Sequence, residues 1–278
     1  MNNKIINWWK NIDQISFVIV VFFIIIGIVL SFSINKSFSL INRHLIYAIV
    51  SLILIIVLSN LKIKTLRRLA FLGLIICLLI LITILLLDYD VKGSKRWLKI
   101  SGFSLQPSEF VKPFFLMISG WFLSRGIQGK KASMYFIFSV FFILAGLIIL
   151  QPDFGMTVLF SISFFCQLFI AGLSLILVSL AILFLVGLSV TSYFAFDHVK
   201  KRIDTFFDPS GGDTYQIGWS IKAFKSGNIF GKGPGQGILK EKIPDANTDF
   251  IFAVAGEELG FLVCFLIVLL ILILVIRL

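Results

Sequence analysis

The sequence predicts an all-α fold, a polytopic transmembrane helical bundle of about eight spans with one large extracytoplasmic loop. Three observations carry this. Of 278 residues, 59% are hydrophobic and 14% charged, with a mean hydropathy of +1.04; soluble domains average about 45–50% apolar and about 25% charged. The apolar residues also run continuously for lengths near the roughly 20 residues that a helix needs to cross hydrocarbon. Finally, the runs lack the period-two alternation of a β-barrel, the other architecture that satisfies its backbone in lipid.

The spans follow in order. Residues 14–35 carry no charge, and further runs fall near 44–61, 69–87, 109–124, 134–151, 153–171, 173–196 and 257–278. No small-residue cleavage site follows the first run, so it reads as a retained helix rather than a signal peptide. The last run reaches Leu278 without a hydrophilic tail. Cys77, Cys166 and Cys264 all lie in apolar runs, an odd set with neither disulfide nor metal-ligand spacing, and read as small core residues.

Charge orients the bundle. Lys4, Lys10, Lys62, Lys64, Arg67, Arg68, Arg125, Lys130, Lys131 and Arg277 fall on one side, which the positive-inside rule makes cytoplasmic along with the N-terminus. Of the 14 acids only Asp13 falls there. The outer face, which collects the rest, is therefore the expected working face. It carries a basic loop at 88–108, "DYDVKGSKRWLKISGFSLQPS", and the large loop at 197–248, where a short helix is expected around 215–226.

Several motifs on that face can carry chemistry. In "QPSEFVKP", Glu109 and Lys112 are three apart and share a helix face, either as a self-neutralising packing pair or as cavity groups. Asp153 in "QPDFG" suits a helix N-cap, with a supporting role at a site as the alternative. Lys95, Arg96 and Lys99 could be a solvated loop, a contact to lipid headgroups or a diphosphate cradle, for which Arg offers a bidentate fork. Trp97 beside them suits an interface anchor. "SGNIFGKGPGQG" lacks the Lys-Ser/Thr of a Walker A loop and reads as a lid or as tight backbone packing. Asp249, in "NTDFIFAVAGEELG", stands before a long apolar run; a first-turn acid capped by Thr248 or Asn247 would explain it without chemistry.

Taken together, "KGSKRWLKISGFSLQPSEFVKP", "QPDFG", "KRIDTFFDPSGGDTYQ" and "NTDFIFAVAGEELG" resemble the SEDS family of bacterial cell-wall polymerases, from about residue 90 to 270. The third and fourth are more similar to the division branch of that family than to its elongation branch. The resemblance implies a single membrane domain over 1–278, with ten spans in the family and so two missing here. It implies a peptidoglycan glycosyltransferase acting on lipid II, with catalytic Asp249 and with Arg96, Glu109 and Lys112 lining the cavity. Trp97, Asp153 and Gln216 join the expected substrate-binding set. The family's motif begins with His where this chain has Asn247, and Trp219 stands where a polar residue is usual.

The chemistry expected is one inverting displacement. Asp249 accepts the proton of a sugar hydroxyl, while Arg96 and Lys112 stabilise the departing diphosphate. Diphosphate leaves readily, so the second carboxyl group of a glycosidase is not needed. No tightly bound cofactor is expected, although a divalent cation (Mg or Mn) would suit the diphosphate. Expected partners are membrane lipid, a class B penicillin-binding protein transpeptidase and other division proteins, with no nucleic acid. A lipid II flippase, with groups buried for alternating access, and a non-catalytic scaffold are the competing readings.

Overall fold

A computed structural model of the chain describes residues 2–34, 38–86, 97–100, 103–151, 153–172 and 215–277, with scattered positions between 176 and 204. In chain order the elements are α1 (Asn2–Asn11), α2 (Gln14–Ile34), α3 (Phe38–Ser59), α4 (Ile63–Leu86), β1 (Leu98–Ile100), β2 (Phe103–Leu105), α5 (Pro107–Ile127), α6 (Lys131–Leu150), α7 (Phe154–Ile170), α8 (Tyr215–Gly227), a 3-10 turn (Leu239–Lys242) and α9 (Ile251–Arg277). Two compact units result: Met1–Leu61 with Phe207–Leu278, and Lys62–Phe206.

Among the described residues, α2, α3, α4, α6 and α9 are long and apolar enough to cross a membrane. Helices α5 and α7 occupy the fourth and sixth expected spans. Most of the expected span at 173–196 lies outside the described residues. The chain is a multi-pass membrane protein.

Three span starts fall six residues earlier than expected, the first being α3, which begins at Phe38 rather than near 44. Helix α4 starts at Ile63 rather than near 69, taking Lys64, Arg67 and Arg68 into its first turns. Long basic side chains lie along apolar surface with their charge at the interface, so hydropathy undercounts such ends. Helix α9 starts at Ile251 rather than 257, so Glu257 and Glu258 sit inside it. The basic loop also holds a short antiparallel hairpin, with Leu98 opposite Leu105 and Ile100 opposite Phe103. Alternating apolar residues around Ser101-Gly102 are a hairpin pattern that the search for spans overlooks.

In the second unit, Ala70, Leu74, Cys77, Leu81 and Ile84 recur every three or four residues and form the buried stripe of α4. Gly73 lets that helix lie close to α5, because a β-carbon there would strike the Phe114 ring. Between α5, α6 and α7, Phe115 stands 4.9 Å from Phe160 and 5.2 Å from Phe164, ring centre to ring centre. Phe141 stacks on Phe164 at 4.7 Å. Lipid tails are as apolar as these side chains, so close packing rather than escape from water holds such helices together. Polar links cross the same core: Gln167 Nε2 donates to the Leu116 carbonyl at 2.8 Å, Ser119 Oγ donates to Gln167 Oε1, and Gln151 Nε2 donates to the Leu81 carbonyl at 3.3 Å.

In the first unit, Leu30, Ala223, Ile243, Val254 and Cys264 form the buried centre. Trp8 Nε1 donates to Ser59 Oγ at 2.8 Å, tying α1 to the end of α3. The Arg277 guanidinium grips Asp13 with both of its carboxylate oxygens, at 2.7 and 3.0 Å. Helix α9 therefore ends beside the start of α2.

Phe141→Ala should lower stability by about 3 kcal/mol, toward the lower end for truncation of a buried Phe. Thermal unfolding of purified protein in detergent measures this. The Arg277 guanidinium, and after it the Ser16 hydroxyl, hold the Asp13 carboxyl well below its ordinary 3.8. A depressed carboxylate stabilises the fold above its unfolded value and loses that contribution as pH falls toward the lowered one. The melting-temperature gap between wild type and Arg277→Gln, small because the pair is exposed, should accordingly close on acidification below about pH 4.

Candidate active site

Helix α5 of the second unit begins with Pro107, whose missing N–H costs nothing at a helix start. Glu109 and Lys112 then face the same way and pair at 2.8 Å. Pro113 follows inside the helix; lacking an N–H, it leaves the Glu109 carbonyl without its intrahelical donor. Asp153 is buried and caps α7, accepting from the Met156 N–H at 3.3 Å. Its other oxygen accepts from Gln106 Nε2 at 2.8 Å, which joins the starts of α5 and α7. Asp153 thus performs the capping role its sequence context suggests, and positions the helix that carries Glu109 and Lys112. Trp97 is part-exposed at 38%, beside the hairpin. Arg96 lies outside the described residues.

The first unit carries the other expected groups. Asp249 is exposed in a turn just before α9. The helix begins after Asp249, so the acid is not in its first turn, and the Thr248 hydroxyl donates backward to the Asp245 carbonyl at 3.3 Å, where the Phe250 N–H joins it at 3.4 Å. Among the described residues, Asp249 makes no hydrogen bond or ion pair. Gln216 is exposed on α8, and its carbonyl accepts from Ser220 Oγ at 2.8 Å. Trp219, a turn further on, draws two cations: Lys222 Nζ lies 4.4 Å and Lys242 Nζ 4.7 Å from its ring. An aromatic face attracts ammonium groups at this range, so Trp219 holds lysines where the family pattern has a polar contact.

Sequence reasoning missed what Glu257 and Glu258 do. Both are fully buried, where an isolated charge costs about 2.5–3.5 kcal/mol on insertion scales. The segment "SGNIFGKGPGQG" and the turn after it supply what they need. Glu257 accepts from the Ile238, Leu239 and Lys240 N–H groups at 2.9, 3.0 and 3.1 Å, and from Lys232 Nζ at 3.2 Å. Glu258 accepts from Lys240 Nζ at 2.7 Å, from the Gly235 and Gly237 N–H groups at 3.0 and 3.3 Å, and from Ser33 Oγ. Of the two expectations for this loop, tight backbone packing is the one realised.

The same contact breaks α9. Gly260 has φ 81, a left-handed geometry that favours glycine. The N–H groups of Phe261 and Leu262 past the break bond to the carbonyls of Asn228 and Ile229 at 3.0 and 3.3 Å. A β-carbon at Gly227 would strike the Gly256 carbonyl, so the loop touches the helix backbone to backbone. The signal was present in the sequence as two adjacent acids between glycines, with a lysine-bearing glycine loop upstream.

Among the described residues, no three His, Cys, Asp or Glu side chains come together as metal ligands.

Comparison with known proteins places this geometry in context. The family described as "Cell cycle protein" (FtsW/RodA/SpoVE) matches residues 7–278. The chain is 34% identical over 265 residues to the probable peptidoglycan glycosyltransferase FtsW of Caulobacter vibrioides, covering 91% of this chain and 68% of the relative. To the protein of that name in Aeromonas salmonicida it is 38% identical over 197 residues, covering 68% and 50%. To that in Borreliella burgdorferi it is 35% identical over 238 residues, covering 82% and 64%. The chain therefore spans about half to two thirds of the length of these relatives. Its fold is similar to a chain of a peptidoglycan synthase complex that coordinates polymerization and crosslinking, with TM-score 0.73, 23% identity and coverage of 97% and 77%. It is also similar to the rod shape determining protein RodA of Thermus thermophilus, with TM-score 0.65, 21% identity and coverage of 98% and 75%.

Lys240→Met should destabilise the protein by about 3–5 kcal/mol, because it strands a buried carboxylate. Adding Glu258→Gln to that variant should restore most of the loss. Detergent melting curves of the single and double variants measure both effects.

Proposed function

Because the chain belongs to the FtsW/RodA/SpoVE family of cell cycle proteins, we propose that it is a peptidoglycan glycosyltransferase of cell division, with Asp249 as general base. The observation that carries the assignment is electrostatic. Among the acids of the last helix and the loop before it, Glu257 and Glu258 are saturated by lysines and backbone N–H groups. Asp249 is exposed with no partner among the described residues, in the "NTDF" sequence of the family motif. A saturated carboxylate is a poor proton acceptor; an unpaired one at the water boundary is available.

In this reading the substrate is lipid II, whose polyprenyl tail stays in the membrane while its sugars reach water. Asp249 takes the proton from the acceptor sugar's 4-hydroxyl as that oxygen attacks C1 of the donor. The C1–O bond to the diphosphate breaks with inversion, and the electron pair leaves on the diphosphate. Arg96 and Lys112 hold that developing charge, with Glu109 fixing the Lys112 ammonium through its ion pair. Trp97 and Gln216 contact substrate. The N-terminus is cytoplasmic, the reacting face periplasmic, and the protein works at the septum. A class B penicillin-binding protein is the partner that crosslinks the product.

Asp245 supplies the control, being exposed four residues upstream of Asp249. Asp249→Asn should insert and fold normally but lose polymerisation by about 10²–10⁴-fold, the usual contribution of a general base. Asp245→Asn should retain it. Purified protein on defined lipid II, with glycan product read by gel, measures both; full activity of Asp249→Asn would overturn the assignment. Arg96→Ala should impair use of the donor, seen as a raised KM. In sealed vesicles with lipid II on one side, tail movement without glycan would favour the flippase.

A further inference from the structure

We propose that the groove between α4 and α5, at the end of the second unit away from Glu109, binds an anionic diacyl phospholipid. Helix α5 has 21 residues, a length of about 30 Å at 1.5 Å per residue. Glu109 stands at its start and Arg125 in its last turn. The groove beside that last turn has a volume of about 640 Å³. Lys64, Arg67 and Arg68 line it at one end, and Phe71, Trp121 and Phe122 supply apolar wall.

The cations are placed in an unusual way. The guanidinium groups of Arg67 and Arg125 both lie against the Trp121 ring, 5.3 and 4.9 Å from its centre. Cation–aromatic attraction fixes each of them, yet two like charges on one ring repel. Among the described residues, none of Lys64, Arg67, Arg68 or Arg125 has an ion-pair partner. Arg67 Nε is buried without any hydrogen-bond acceptor. Lys64, Arg67 and Arg68 also crowd the first turns of α4, where the helix dipole is positive and adds to the repulsion.

A bias of basic residues toward one membrane surface accounts for their number. It does not account for their convergence on an apolar groove with an orphaned N–H. One group answers every feature: a phosphodiester that accepts from Arg67 and neutralises the cluster, carrying acyl chains along Phe71, Trp121 and Phe122. Basic pockets between membrane helices recognise acidic headgroups through this chemistry. The inference rests on the second unit alone and is independent of the role given to Asp249.

Native mass spectrometry of the full chain in detergent, with phosphatidylglycerol or phosphatidylcholine added at equal concentration, provides the test. Retention of phosphatidylglycerol should exceed that of phosphatidylcholine by about tenfold, given the strength of basic-residue contacts to acidic lipid. Arg67→Gln/Arg125→Gln should abolish the preference at unchanged melting temperature. Should that variant misfold, Lys64→Gln/Arg68→Gln, which leaves the stacked pair intact, should still reduce the preference. Lys130→Gln/Lys131→Gln removes the same charge near the end of α5 but outside the groove, and should leave the preference in place. Equal retention of the two lipids would overturn the proposal, as would an equal loss in the Lys130/Lys131 control. Displacement of phosphatidylglycerol by glycerol phosphate at equal concentration would also overturn it, reassigning the groove to a small anion.

Discussion

Two carboxylates taken out of water govern how the first unit is built. Glu257 and Glu258 are tolerable only because two ammonium groups and a row of backbone N–H groups converge on them. That requirement draws the glycine loop onto α9. Only glycine lets the backbones approach closely enough, and the helix breaks at Gly260 so that loop carbonyls meet its freed N–H groups. The position of Asp249 follows, since the turn that bears it joins the tethered 3-10 turn to the start of α9.

The second unit is held differently. Its centre is a stack of phenylalanines crossed by the Gln167 amide, and its two ends have opposite chemical character. At the start of α5 and α7, polar side chains satisfy one another: Glu109 with Lys112, Gln106 with Asp153. At the far end, cations gather on Trp121 with no acid among the described residues to meet them. One end is electrostatically closed and the other open, so each is suited to a different ligand.

Much of this was legible in the sequence. Span-length apolar runs located the helices, the Pro-Asp step located the cap at Asp153, and the spacing of Glu109 and Lys112 predicted their pairing. What escaped was set by partners distant in the chain. Hydropathy averages placed Glu257 and Glu258 at the very start of the last span rather than inside it, because the groups that neutralise them come from 17 to 25 residues upstream and, for Ser33, from another helix. Thr248 was a plausible cap by residue type, but its hydroxyl found a nearer carbonyl in its own turn. Convergence of Arg67 and Arg125 on one indole depends on the pairing of α4 with α5, which no local pattern encodes.

The break at Gly260 bears on how the chain enters the bilayer. A machine that partitions nascent segments by hydrophobicity would meet in α9 a helix with two acids near one end and an interrupted hydrogen-bond ladder. Each defect is repaired by residues synthesised earlier in the chain. Residues 228–240 thus hold the donors and acceptors that the following helix lacks, and the chain carries them ahead of that helix in the order of translation.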